Sequence, residues 1–261
     1  MKDDKTYFDK IAEGYEQLET GLTPVRHYCE AYTALKLVQP LEDKSVLELA
    51  CSDGYFSRLL KKGGAHSLRG IDLSPNMIDL ARAEEAHDPL GIDYQVGNVL
   101  EMGVIGEFDL VYSSFVLSYA KDRLEMLDMC RVFYQNVKPG GRLISMNDNP
   151  ALLPDSVTGF AKYGKTKRVT PGLEDGATIT VTWENLNDKG EREDFSFDCK
   201  YYSRETLEWA LTEAGFTDVC LHQPEVSPEG LAKFGKTYWE LFLRHPLLVF
   251  ITCHKETAPQ G

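Results

Sequence analysis

Val46-Leu47-Glu48-Leu49-Ala50-Cys51-Ser52-Asp53-Gly54-Tyr55-Phe56 runs from a short apolar stretch, through small residues at every second position, into an amphipathic stretch. The first part reads as a buried strand and Tyr55–Lys62 as a helix, so Ala50, Ser52 and Gly54 lie in the turn between them. Small side chains at such a turn let a ligand lie directly against the backbone. The spacing is not the G-x-G-x-x-G of dinucleotide-binding folds, whose wider glycine loop accommodates a pyrophosphate. It therefore argues against NAD and for a cofactor without that group. A second acid, Asp72, ends the next apolar run in Gly70-Ile71-Asp72-Leu73-Ser74-Pro75, where an acid accepts hydrogen bonds from ribose hydroxyls. Both features fall at the carboxyl ends of adjacent strands, the edge at which open α/β sheets bind ligands.

The same rhythm extends outward from this segment. Apolar runs at Ser45–Ala50, Ser67–Ile71, Ile92–Val96, Phe108–Ser113 and Arg142–Met146 read as buried strands of a parallel sheet. Tyr55–Lys62, Pro75–Ala86 and Arg123–Asn136 have helical spacing, and Lys138-Pro139-Gly140-Gly141 halts the last of these before the next strand. After Asn149 the pattern changes: Ala177–Trp183 and Phe195–Tyr202 alternate around the turn sequence Asn187-Asp188-Lys189-Gly190, as a hairpin does. A helix capped by Ser203, a strand at Asp218–His222, an aromatic helical segment at 228–246 and a strand at Leu247–Cys253 complete the pattern. The expected fold is α/β: a doubly wound, Rossmann-like, mainly parallel seven-stranded sheet with helices on both faces and a β-hairpin insertion after the fifth strand. Residues 1–254 make one domain, with 1–40 a helical lid, 150–203 the insertion and 255–261 a frayed tail.

Composition narrows the function. The chain of 261 residues carries a net charge of −13, which repels a phosphate backbone and disfavours nucleic acid as a partner. The basic stretch Lys162–Arg168 contains Gly164 within the insertion and reads as a solvated loop. Six scattered cysteines, without a C-x-x-C pair, read as buried thiols of a reducing compartment rather than a disulfide framework or zinc site. The N-terminal decapeptide has no apolar core of a signal peptide, and no apolar run is long enough to span a bilayer, so the cytoplasm is the expected location.

With these residues in view, the chain resembles the class I S-adenosylmethionine-dependent methyltransferases of the small-molecule type. The resemblance covers nearly the whole chain and rests on LELACSDGYFSRLL, GIDLSPNMIDLAR, YQVGNVLEM, FDLVYSSFVLSYA and VKPGGRLISMN, in that order. It implies that Glu48, Ala50, Ser52 and Gly54 surround the methionine side of the cofactor and that Asp72 holds the ribose. It further implies that Leu73 and Met77 flank the adenine, that Asn98 and Val99 meet its edge, and that Ser114 and Phe115 lie beside the methionine moiety. Ala50 and Ser52 stand where the family has glycines and Asn98 where it usually has an acid; Asn98 can still meet the adenine amine through its carbonyl oxygen. Tyr7–Tyr15 resembles an entry helix that folds over the cofactor, with Tyr15 reaching it, or else simply covers a sheet edge. Val226–His245 is similar to a segment of toxoflavin-type azapteridine N-methyltransferases.

Methyl transfer needs the acceptor held close and aligned with water excluded, and a base only if the acceptor must lose a proton. His27 and Tyr119 are the candidate polar residues toward the acceptor, each read more readily as a partly exposed structural side chain. Trp183, Tyr201, Tyr238 and Trp239 could line an aromatic pocket for a planar acceptor, or serve only to pack the insertion. Asp148-Asn149 resembles part of the magnesium site of catechol-type methyltransferases, but Ser113-Ser114-Phe115 offers no completing carboxylate, so no metal is expected. The expected reaction is methyl transfer from S-adenosylmethionine to N or O of a small, planar metabolite. An enzyme of the same fold using that cofactor for other chemistry is the alternative.

Overall fold

A computed structural model describes residues 23–152, 159–169, 172–183 and 194–257. Tyr7–Tyr15, the Asn187–Gly190 turn and the end of the tail lie outside these residues. Seven strands form one sheet in the order β3-β2-β1-β4-β5-β10-β9. They are β1 (Ser45–Leu49), β2 (Ser67–Asp72), β3 (Ile92–Val96), β4 (Phe108–Ser114), β5 (Val137–Asp148), β9 (Thr217–His222) and β10 (Leu248–His254). The first five are parallel, whereas β10 runs antiparallel to both of its neighbours. The mainly parallel seven-stranded sheet expected from the sequence is therefore the one observed.

Period-two alternation splits the apolar residues between two cores. Val46, Leu110, Tyr112, Ile144 and Phe250 face α1 (Ala31–Val38), α2 (Tyr55–Lys62) and α3 (Pro75–His87). Leu47, Leu49, Val111, Leu143 and Ile251 face α4 (Arg123–Asn136) and α5 (Arg204–Glu213). Each strand is thus buried on both sides, which is why β1 and β4 read as continuous apolar runs rather than alternating ones. Caps set the helix starts: the Ser74 hydroxyl accepts from Met77 N with Pro75 at the first turn, and Asp122 accepts from Leu124 and Glu125. Lys138–Gly141 does end α4, but it lies within the beginning of β5, which starts at Val137 rather than Arg142.

The insertion differs most from expectation. A further strand, β6 (Lys165–Val169), pairs with β7 (Thr178–Trp183), which pairs with β8 (Phe195–Lys200), making a three-stranded antiparallel sheet rather than a hairpin. Lys162–Arg168 is accordingly not a solvated loop. One face of this sheet carries Lys165-Trp183-Phe195, Lys167-Val181-Phe197 and Val169-Ile179-Cys199 as directly opposed rows. Helices α6 (Pro228–Phe234) and α7 (Lys236–Arg244) pack beside the chain entering α1.

Candidate functional site

A cleft opens at the carboxyl edge of the parallel strands. Its floor is the β1–α2 turn, the ends of β2 and β4 and the loop after β3; its roof is the inner face of the antiparallel sheet. Such a position follows from topology, because the chain leaves β1 and β4 toward opposite faces and parts their loops there.

The turn after β1 is held in an uncommon backbone form. Ala50 (φ 57°), Ser52 (φ 50°) and Gly54 (φ 80°) all occupy the left-handed region, and the Cys51 amide between the first two donates to Ile71 O of β2 at 3.0 Å. The geometry explains why glycine would suit the first two positions and why only small residues replace it. Gly54 serves differently from the expectation. It stands behind the turn, where a Cβ would run into the Tyr94 hydroxyl, so it permits close helix–strand packing and does not line the cleft.

Two carboxyl groups lie beneath the turn. Asp72, 8% exposed, accepts from Ser52 N and Ser74 N at 2.9 Å each. Burial outweighs these bonds and raises its carboxyl to about 6. Glu48, 1% exposed, accepts from the Ser57 hydroxyl, and burial pushes it up to about 8. Arg26, in the π-helical turn Arg26–Glu30 that leads into α1, donates to Asp53 at 3.1 and 3.3 Å and lies 4.2 Å over the Tyr55 ring. It ties the entry to α1 to the turn after β1 at the rim of the cleft.

The remaining floor is largely apolar. Leu73, Met77 and Val99 line it with Asn98, whose side-chain oxygen accepts from Leu100 N at 3.0 Å and keeps a second lone pair. Ser114 and Phe115 follow, the latter with φ 59° while its amide donates to Met146 O at 2.6 Å. A left-handed backbone is costly for a bulky residue, and here it leaves the Phe115 ring facing the roof. Of the sequence-derived cofactor residues, Glu48, Ala50, Ser52, Asp72, Leu73, Met77, Asn98, Val99, Ser114 and Phe115 converge on the cleft. Tyr15 lies outside the described residues.

The acceptor candidates divide. Trp183 and Tyr119 line the cleft; His27, Tyr201, Tyr238 and Trp239 do not. His27 stands edge-on to Tyr28 with ring centres 4.6 Å apart. Tyr201 donates its hydroxyl to Pro150 O at 2.8 Å, and the Tyr238 hydroxyl donates to Lys162 O. Trp239 is fully buried, stacks on Tyr163 at 5.6 Å and donates to Gly230 O at 2.9 Å. Tyr238 and Trp239 fasten the insertion to α6 and α7, while Tyr201 ties the two ends of the insertion together, as hydrophobic bodies with polar tips do. The 228–246 segment is thus a support for the roof, and its described residues contribute nothing to the cleft wall.

The residues missed from sequence are the charged ones on the roof. Lys165 and Lys167 are buried, with side-chain exposures of 3% and 1%. Lys167 is paired with the buried Asp148 and also donates to Leu247 O at 2.8 Å; Asp148 in turn accepts from the Ser118 hydroxyl at 2.5 Å. The Lys167 ammonium holds the Asp148 carboxyl below its ordinary range against the opposing effect of burial. Asn149 donates to Pro246 O at 2.7 Å and accepts from Ala151 N, so the Asp-Asn pair spends its polar groups within the protein. Alternation in Lys165-Thr166-Lys167-Arg168-Val169 was the available signal, but a run of cations reads first as solvated surface.

Residues 46–141 match the family model described as a methyltransferase domain. A ubiquinone biosynthesis O-methyltransferase of Xanthomonas campestris pv. campestris is 30% identical over 156 residues, 58% of this chain and 61% of that protein. A demethylmenaquinone methyltransferase of Lactococcus lactis is 27% identical over 164 residues, 60% of this chain and 63% of its own length. The chain therefore spans about three fifths of the curated relatives it matches. Among solved structures, the CcbJ methyltransferase from Streptomyces caelestis superposes with a TM-score of 0.67 at 19% identity, covering 98% of this chain and all of that one (100%). A S-adenosylmethionine-dependent methyltransferase from Clostridium acetobutylicum gives 0.64 at 14% identity, with 96% and 99% covered. Residues 46–141 are thus similar to a methyltransferase domain, and the whole chain has the Rossmann-like fold of these solved methyltransferase structures.

Proposed function

We propose that this chain transfers a methyl group from S-adenosylmethionine to N or O of a small, planar metabolite in the cytoplasm. The observation that carries the reading is the floor of the cleft: a left-handed turn of small residues above Asp72, continued by an apolar slot. Those residues fit the cofactor. Asp72 would accept from the ribose hydroxyls, Leu73, Met77 and Val99 would enclose the adenine with Asn98 at its edge, and the turn would receive the methionine moiety. Arg26 at the rim is placed to meet that moiety's carboxylate. When bound, S-adenosylmethionine supplies an electrophilic methyl group on a sulfonium sulfur. The chain's contribution is alignment and exclusion of water, with Phe115 below and Trp183 above holding a flat acceptor.

Supporting the cytoplasmic assignment, all six cysteines are free thiols, and five are buried. No helix among the described residues is long and apolar enough to cross a membrane. Calorimetric titration tests the central claim: S-adenosylmethionine and S-adenosylhomocysteine bind in the micromolar range and NAD does not. Binding of NAD alone would reject it.

A further inference from the structure

The polar groups of the roof are unequally satisfied. Lys167 has a carboxylate and a carbonyl within hydrogen-bond reach. Lys165 is as deeply buried, yet among the described residues its one ion-pair partner is Glu30 at 3.5 Å, long for a hydrogen bond. Its ammonium otherwise faces rings, Phe115 at 4.3 Å and Trp183 at 4.7 Å to the centroids. An ammonium has three donors, and ring faces accept a cation electrostatically without replacing hydrogen-bond acceptors. Burial lowers the proton affinity of Lys165, the Glu30 carboxylate opposing it, so an added anion would stabilise the charged form.

The position is as informative as the charge. Lys165 lies opposite Trp183 in the β6–β7 register, on the inner face of the roof and beyond the floor that Asp72 and the left-handed turn make for the cofactor. The histidine candidate, His27, does not line the cleft, and Asp148 is already engaged by Lys167 and Ser118. We infer that the acceptor enters the cleft as a planar anion, its negative charge taken by the Lys165 ammonium between the rings of Phe115 and Trp183. This inference rests on reading the cleft as a methyl-transfer site. The acceptor is then an acidic phenol, an acidic ring N–H compound or an aromatic acid, in each case ionised near neutral pH. An acceptor that arrives ionised asks no side chain of the cleft to remove a proton.

The test is a calorimetric titration of matched pairs into protein saturated with S-adenosylhomocysteine. The pairs are 4-nitrophenolate with 4-nitroaniline, 4-hydroxybenzoate with 4-hydroxybenzamide, and nicotinate with nicotinamide. In the unmodified protein the anions should bind at least about tenfold tighter than their neutral partners. Lys165→Met should bring that preference close to unity and Lys165→Arg should keep much of it. Glu30→Gln, which removes the competing carboxylate, should widen it, and keeps the test open should Lys165→Met fail to fold. Equal binding within each pair, no anion binding, or a preference that survives Lys165→Met overturns the proposal. So does a Lys165→Met protein whose loss is in S-adenosylhomocysteine affinity, since Lys165 would then belong to the cofactor. An unmodified protein that binds no S-adenosylhomocysteine overturns instead the reading of the cleft itself, and this inference with it.

Discussion

Asp72 and Ala50 show how single residues shape the floor of the cleft. Asp72 accepts two backbone amides, which fix the orientation of its carboxylate; on the proposed function the ribose hydroxyls would add to these. Charge-assisted hydrogen bonds of this kind contribute roughly 1.5–3 kcal/mol each. Asp72→Ala is therefore expected to weaken S-adenosylhomocysteine binding by at least about tenfold in a folded protein, read by calorimetry with circular dichroism as the control. Because burial holds the Asp72 carboxyl at about 6, protonation should compete with the ribose as pH falls, so affinity should decline from pH 7 to pH 5 in the unmodified protein. Ala50 illustrates the opposite case, a residue tolerated at some cost. A left-handed Ala costs about 1–2 kcal/mol, while Gly loses about 0.5–1 kcal/mol more entropy on folding. Ala50→Gly should thus raise Tm by about 1–3 °C and leave cofactor affinity unchanged; a lower Tm would mean that the strain has been misjudged.

At the scale of elements, the antiparallel sheet and the α6–α7 pair have separate duties. The sheet presents Trp183, Lys165 and Lys167 to the cleft, whereas Trp239 in α7 fills an aromatic cluster with Tyr28, Tyr163 and Phe242. Truncating a fully buried Trp costs about 3–5 kcal/mol through lost burial and the cavity left behind. Trp239→Ala should lower Tm strongly while the surviving folded fraction keeps its acceptor KM. Trp183→Ala should raise acceptor KM and lower kcat, with S-adenosylhomocysteine affinity unchanged within about twofold. A Trp183→Ala protein with unaltered turnover would show that the roof takes no part in holding the acceptor.

Across the whole molecule, the charges buried under the cofactor turn set a pH dependence that favours mildly acidic solution for the ligand-free protein. Glu48 titrates at about 8 in the fold against an ordinary 4.5, and Asp72 at about 6 against 3.8. The folded state then binds more protons than the unfolded chain within those windows, so stability contributed by these groups falls as pH rises through them. Thermal denaturation without cofactor is expected to show Tm declining between pH 5 and pH 8. Glu48→Gln, neutral at every pH, should remove much of that decline; an equally steep profile would place its cause elsewhere. The paired carboxylates act in reverse: Asp109 beside Ser45 and Lys138 is held at about 2, and its contribution is lost only as pH falls toward that value.

How much of this was written in the sequence depends on the range of the interaction. The β1–α2 turn, the Ser74 and Asp122 caps and the parallel core were legible because each is set by neighbours within one strand–helix unit. Local small-residue spacing marked the cofactor turn before any fold was known. Gly54 was legible as a constrained position, but its reason, the Tyr94 hydroxyl, comes from forty residues further on. The roof could not be read in the same way. Whether Lys165 and Lys167 face solvent or a cleft depends on β6 pairing with β7, and on that sheet then closing over Phe115, which lies far away in the chain. Trp239 and Tyr201 stand out in the sequence as aromatics, but composition cannot tell a buried strut from a pocket wall. That distinction is made only when tertiary packing decides which face of each element meets the core and which meets the ligand.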